Sequence, residues 1–408
     1  MPLAALLTGA PHERWGRWSM LSAPSRTVSA WTHREALDAL EEASRDGGTW
    51  AVSLAYELGG AFEPRALPAG RMPPDGWPLV TLARCDDRAE HDHATGDWTF
   101  AGSGAELLAE CAARIARGDP RAGACIEGLE PDIGRAEFER MVSRAVDYVL
   151  AGDIFQANVA QRFSARWHGS PRAVLHAAMG AARPRYGAYL EDGPRALVSM
   201  SPELYLEVDR AAGTAVSRPI KGTRAAHEDP AALLASDKDA AELHMIVDLV
   251  RNDLGRVAVP GGVEVRTKRA VESHETVHHC VAEVAARLRP GTSAVDLLRA
   301  SFPPGSVTGA PKVRAMQVIE GLEPCARGAY CGAVGLVSPG RISLNVAIRT
   351  ITLLRGEQGA PGTLRYSAGC GIVADSQPRA EYEESLHKAA VLVRTAHALS
   401  AAGVARAS

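Results

Sequence analysis

Apolar positions along the chain follow two periods. Over residues 135–151, Phe138, Met141, Val142, Ala145, Val149 and Leu150 recur every three or four places, the spacing of one buried helical stripe. Gly152 supplies the stop, and IFQANVAQRFSARW, from Ile154, then reads as a strand. LVSMSPELYLEV (197–208), GTAVSRPIKG (213–222) and LRYSAGCGIVA (364–374) read as further strands, and VHHCVAEVAARL (277–288) as a β-rich or mixed segment. CGAVGLVSPGRISLNVAIRTITLL (331–354) predicts a hairpin turning at Pro339-Gly340. Residues 229–251 contain a helix. A longer one runs from about Pro378 to Ala398, with Tyr382, Leu386, Ala389 and Val393 on its apolar side. Strand pairs mixed with helices, without strict βαβ alternation or a repeating period, predict an α+β fold.

Composition narrows the function classes. The 408 residues carry 45 basic and 48 acidic side chains, a net charge of -3, which argues against a non-specific nucleic-acid binder. Apolar residues at 46% and charged residues at 23% are ordinary for a globular chain, so bulk disorder is not expected. The longest stretch free of Asp, Glu, Lys and Arg is Gly328–Gly340, too short for the roughly 20 apolar residues of a membrane helix. The start, MPLAALLTGAPHERW, has no basic leader and too short an apolar run for a secretory signal, so a cytoplasmic location is expected. Seven cysteines (85, 111, 125, 280, 325, 331 and 370) form no CxxC pair and read as reduced, small buried hydrophobes. Cys280 follows His278 and His279, but further zinc ligands are missing.

Three segments could carry chemistry. Asp239 and Glu242 stand three apart on one predicted helix, and Glu381, Glu384 and Lys388 share a stripe on another. Two such carboxylate pairs could meet around a hard divalent ion such as magnesium, although spacing alone favours a solvated helix face with pairs such as Glu384 to Lys388. SFPPGSVTGAPK (301–312) resembles a phosphate loop only superficially, because Pro311 stands where a Walker A loop needs its last glycine. Gly369 and Gly371 in SAGCGIVAD let a ligand approach the backbone, or serve tight strand packing. Lys221 in SRPIKGTR is either a surface residue or, if desolvated, a nucleophile.

Together these segments resemble the chorismate-utilising enzymes: the large subunits of anthranilate synthase and aminodeoxychorismate synthase, and the isochorismate and salicylate synthases. The matching stretches, in the family's order, include GDIFQANVAQRF (152–163), SPELYLEV (201–208), RPIKGTR (218–224), AELHMIVDLVRNDLGRV (241–257) and SFPPGSVTGAPKVRAMQVIEGLEP (301–324). YCGAVG (330–335), NVAIRT (345–350) and AGCGIVADSQPRAEYEESLHKA (368–389) follow. The resemblance implies a two-layer, mostly antiparallel β-sandwich flanked by helices. It divides the chain into an amino-terminal region over 1–130 with a possible effector pocket, a chorismate-binding catalytic domain over 131–398, and a tail over 399–408.

The same resemblance implies site roles. Glu242 and Glu384 would contact Mg2+, with Asp239 and Glu381 acting through water. Arg349 would clamp the enolpyruvyl carboxylate. Tyr330, His279, Thr223, Gly222, Lys388, Gly369 and Gly371 would line the pocket, and Glu203 would protonate the departing 4-hydroxyl. Lys221 and Asn158 resemble the aminodeoxychorismate synthase subgroup, in which the lysine attacks C2 and ammonia then adds at C4. Gln156 stands where isochorismate and salicylate synthases place a water-activating lysine. The chain has no glutaminase segment, so the resemblance implies a separate glutamine amidotransferase subunit supplying ammonia, for p-aminobenzoate and folate synthesis. Anthranilate synthase component I, isochorismate synthase and a non-catalytic chorismate-binding regulator are the alternatives.

Overall fold

The computed structural model describes residues 2–12, 14–67, 72–73, 76–117, 123–274, 277–357 and 360–407, with side chains described except at 114–117, 238 and 402–407. Two large antiparallel sheets face one another. The first runs through Gly309–Ala310, Gln156–Gly169, Gly362–Ile372, Thr350–Leu354, Arg195–Ser201 and Tyr186–Asp192. It continues through Ala4–Leu7, Trp18–Ala23, Asp87–Asp92 and Trp98–Ala101, and Ala124–Pro131 also pairs with Gln156–Gly169. The second runs through Ile220–Ala225, Val277–Leu288, Thr214–Arg218, Leu204–Asp209 and Arg341–Val346. Ala333–Val337, Trp50–Leu54, Val80–Arg84 and Arg26–Ala30 complete that path, and Ala258–Ser273 pairs with Val277–Leu288. The α+β class expected from the pattern is the one observed.

Strand periodicity decides which face meets which layer. In Arg195–Ser201, Ala196, Val198 and Met200 pack outward with helix residues Val174, Ala178 and Leu392, whereas Leu197 points inward to Val334 of the other sheet and to Ala347 just past it. Ala333–Val337 repeats the rule: Ala333 and Val337 join the helix-covered core, while Val334 and Leu336 meet the opposing sheet. Both faces are therefore dry, which is why these strands read as continuous apolar runs. Helix Asp237–Gly255 lays Leu243, Ile246, Val250 and Leu254 on Cys280, Ala282 and Val284 of the second sheet. Helix Pro378–Ala407 lays Ala389, Leu392 and Leu399 on Leu364, Tyr366 and Ala368 of the first. Among the described residues no helix is long and apolar enough to cross a membrane.

Several local expectations are corrected. Residues 197–208 form two strands in different sheets, because Pro202 lacks the N–H a ladder needs and the chain changes sheets at Pro202-Glu203. Pro219 splits 213–222 in the same way, into Thr214–Arg218 and Ile220–Ala225. The mixed segment 277–288 is a strand throughout, and 350–354 leaves its hairpin to join the first sheet. At the end of helix Arg135–Leu150, Leu150 is 70% exposed, and in the C-terminal helix Val393 faces solvent while Leu392 is buried. Cys85, Cys280, Cys331 and Cys370 are buried thiols, but Cys125 is exposed and Cys111 and Cys325 are half-buried.

Candidate functional site

Chain breaks between the sheets set the site. Glu203 sits at the crossing from one sheet to the other and is 4% exposed. Strand Ile220–Ala225 brings Lys221 beside it, and Gly371 on Gly362–Ile372 leaves room for the lysine tip. A Cβ on Gly371 would stand 3.1 Å from Lys221 Nζ and 3.0 Å from Gln156 Nε2, so glycine here is a matter of space. Register pairs Gly371 with Asn158 and Gly369 with Ala160, aligning the glycine segment with the strand that holds Gln156 and Asn158. Both amide atoms of Gln156 and the Asn158 Nδ2 are buried without hydrogen-bond partners. A buried amide in that state keeps hydrogen-bonding capacity for a water or a ligand.

Burial governs the charges. It pushes the Glu203 carboxyl up to about 7, although a Ser306 hydrogen bond and Lys221 oppose the shift. Burial likewise lowers the Lys221 ammonium from its ordinary value, helped by Lys388 and opposed by Glu242, Glu203 and Glu384. These shifts locate Glu203, Glu242, Glu384 and Lys388 around one amine. Lys388 donates to the Gly369 carbonyl at 2.8 Å and to Glu384 at 2.8 Å. Burial works against its charge, yet Cys370, Glu384 and Glu381 hold it above the usual lysine value. Glu384 is in turn held below the usual carboxylate range: its burial acts the other way, and Lys388 and Lys221 prevail.

A second wall faces this one. Thr223 and His279 oppose each other across two strands, with Thr223 Oγ1 3.0 Å from His279 Nδ1. Burial, reinforced by Arg349 and His274, drives His279 well below the usual histidine value, so its ring is neutral, and its Nε2 is buried without a partner. Arg349 occupies the left-handed region at φ 50°, and its charge acts on both His279 and Tyr366. Tyr330 is 7% exposed and stands beside Asn158. Gly222 adopts φ +84°, and a Cβ there would meet Asp239 Cγ at 3.0 Å, which brings the Asp237–Gly255 helix onto the Lys221 strand. Asp239 Oδ2 has no hydrogen-bond partner and lies 3.6 Å from Arg224. Ligand atoms of Cys370, Glu381 and Glu384 fall within 4.8 Å of one another.

A model of chorismate binding enzymes matches residues 9–394. The chain belongs to the chorismate-binding enzyme family. It is 42% identical over 267 residues to aminodeoxychorismate synthase component 1 of Salmonella typhimurium, covering 64% of this chain and 57% of that relative. It is 36% identical over 382 residues to anthranilate synthase component 1 of Streptomyces coelicolor, covering 86% and 73%. The anthranilate synthase component I structure from Streptococcus pneumoniae superposes with a TM-score of 0.77 at 29% identity, covering 91% of each chain.

Chorismate enzymes are generally magnesium-dependent, and the donor set here fits a hard cation. The donors grouped there are Glu381 and Glu384 of the C-terminal helix with the Cys370 thiol, and two carboxylates are the oxygen ligands such a cation prefers; Asp239 and Glu242 of helix Asp237–Gly255 are not in that group, though Glu242 and Glu384 both act on Lys221. Cys370 is buried, as the sequence predicts, and its thiol also faces Glu381 and Glu384, which the sequence does not signal. Other neighbours gave no signal either. Ser306, which bonds Glu203, lies in a loop that reads only as glycine-rich, and Tyr366, whose hydroxyl donates to the Lys388 carbonyl at 2.8 Å, looks like any strand aromatic. Glu323 and Arg327 stand at i and i+4 like a surface pair, but their side chains are 5% and 3% exposed.

Proposed function

We propose that the chain is component I of an aminodeoxychorismate synthase, replacing the C4 hydroxyl of chorismate with an amino group. The observation that carries this reading is Lys221, a half-buried amine of lowered basicity next to the protonatable Glu203. A neutral amine is a nucleophile and a carboxyl near 7 is an acid at neutral pH, so the two groups suit the two ends of one displacement. Lys221 Nζ attacks C2, the ring double bonds shift, and the C4–O bond breaks as Glu203 passes its proton to the hydroxyl, which departs as water. Ammonia then attacks C4, the double bonds shift back, the C2–N bond to Lys221 breaks, and Glu203 recovers a proton from the new amine. Glu242 and Glu384 would hold a magnesium ion directly, with Asp239 and Glu381 through water; bound there, it supplies positive charge against the ring carboxylate. Arg349 and the neutral His279, with Thr223 and Tyr330, would bind the enolpyruvyl side.

Ammonia would come from a glutamine amidotransferase subunit, in keeping with relatives that are named as a component 1. Anthranilate synthase is the second reading, favoured by the 86% span of the Streptomyces coelicolor match. Lys221 speaks for amination at C4, since the covalent amine shields C2. The reading is tested by incubating the protein with chorismate and Mg2+ but no nitrogen donor, then digesting it for mass spectrometry. The peptide containing Lys221 should gain the mass of chorismate less one water, and the Lys221→Ala protein should gain nothing there. A wild-type peptide that stays unmodified while the protein aminates chorismate would overturn the covalent route.

A further inference from the structure

Buried at the junction of the two sheets is a guanidinium that touches neither Lys221 nor the carboxylate cluster, yet it bonds the backbone on both sides of the site. Arg327 donates through Nη2 to the Asn158 carbonyl at 2.5 Å and through Nη1 to the Val307 carbonyl at 3.0 Å. Its Nε and Nη2 also grip Glu323 at 2.9 and 2.6 Å, and Glu323 Oε1 accepts the Ala160 N–H at 2.9 Å. The Arg327 backbone N–H is held by Glu57 at 2.7 Å, and its guanidinium lies over the rings of Tyr56 and Tyr330, at 4.6 and 5.7 Å.

We propose that Arg327 is a positioning residue: it fastens the strand carrying Gln156 and Asn158 to the turn Gly305–Val307, and so keeps Ser306 against Glu203. Asn158 and Val307 belong to segments far apart in sequence, joined here also by the Asn158 N–H bond to the Thr308 carbonyl at 2.8 Å. The backbone bonds, from Asn158 N–H to Thr308 and along the Gly309–Ala310 ladder with Gln156–Ala157, all lie on the downstream side of the turn, whereas the planar fork bonds Val307 within it and is clamped by a carboxylate. Tyr330 lies against the same guanidinium, so one side chain sets the wall that faces the substrate and the contact that tunes the acid. Lysine keeps the charge but not the fork, so it cannot reach Glu323, Asn158 and Val307 together. The inference rests on the reading of Glu203 as the general acid only for its kinetic consequence; the geometric claim concerns Ser306 and Glu203.

The test follows Glu203 directly. Few carboxyls stay protonated near neutral pH, so the protonated-carboxyl infrared band that vanishes in Glu203→Gln reports this residue. The Ser306 hydrogen bond lowers its ionisation midpoint, so losing that contact raises it. In Arg327→Lys the midpoint should move upward by about one pH unit, while kcat falls by roughly tenfold or more and the chorismate KM stays within about threefold. Glu323→Gln, which keeps the volume and an acceptor for Ala160, should shift the midpoint the same way by less, and it decides the matter if the lysine variant fails to fold. A midpoint equal to wild type in a folded variant overturns the proposal, because merely structural weakening lowers Tm without moving it. Undiminished turnover in Glu203→Gln would instead sink the acid assignment, and the infrared comparison would still decide the role of Arg327.

Discussion

Lys221 and Gly371 are fitted to each other: a methyl group on Gly371 would come within 3.1 Å of the lysine nitrogen. Both atoms such a methyl would crowd, Lys221 Nζ and Gln156 Nε2, are ends of flexible side chains, and Gly371 has no left-handed φ. Gly371→Ala should therefore fold normally, with Tm within a few degrees of wild type, while moving the amine by a few tenths of an ångström. Displacements of this kind at a reacting atom cost roughly 10- to 100-fold in rate. Thermal melts with steady-state kinetics check it; wild-type kcat would show that Lys221 needs no such fit.

The rate should depend on pH through two groups of opposite requirement. Glu203 acts when protonated, and burial sets its midpoint near 7, so its active fraction falls as pH rises through that value. Lys221 acts when neutral, so its fraction of active enzyme grows with pH, and its lowered basicity brings that limb toward neutrality. The profile is bell-shaped, and Glu203→Gln should lower kcat by about 100-fold or more and remove the alkaline limb from what activity survives. A pH–rate profile of both proteins checks it.

Stability carries its own pH signature. Burial lifts Glu57 as well as Glu203 to about 7, although Arg327 and Gly328 donate backbone N–H groups to it. A carboxyl with a raised folded value binds its proton more tightly in the native state. Its contribution is complete below the ordinary value near 4.5 and is lost as pH climbs to about 7. The protein should thus lose on the order of 1–3 kcal/mol per group between pH 5 and 7.5. Glu57→Gln keeps an acceptor for the two N–H groups and should flatten that slope, which denaturant melts across the range would reveal.

Removing either inner carboxylate should stop turnover. Glu242→Ala or Glu384→Ala takes away a hard ligand, and the second also strips Lys388 of the partner it holds at 2.8 Å. We expect activity to fall by about 100-fold or more, with magnesium binding by titration calorimetry weakened in parallel. Full activity in either variant contradicts the metal assignment.

How much of this was legible in sequence depended on whether neighbours in space were neighbours in pattern. The strands that hold Leu197, Val334 and Leu336 were legible because an apolar run is local, and the Asp239/Glu242 and Glu381/Glu384 stripes because helical faces are local too. Glu203 was visible only by resemblance, since its acidity arises from burial at a sheet crossing that Pro202 creates. Arg327 and Glu323 carried the spacing of a solvent-exposed pair, and only tertiary packing turns that pair into a buried clamp. Cys370 is the small buried thiol that its place between glycines announces, but the C-terminal helix that sets Glu381 and Glu384 beside its sulfur lies outside the local window.

Wild-type protein incubated with chorismate, Mg2+ and an ammonium salt, with the products resolved by NMR, tests the central claim most directly. The account predicts 4-amino-4-deoxychorismate, formed at a much lower rate or lost in Lys221→Ala. Anthranilate as the product, or isochorismate formed without any need for ammonia, would contradict it.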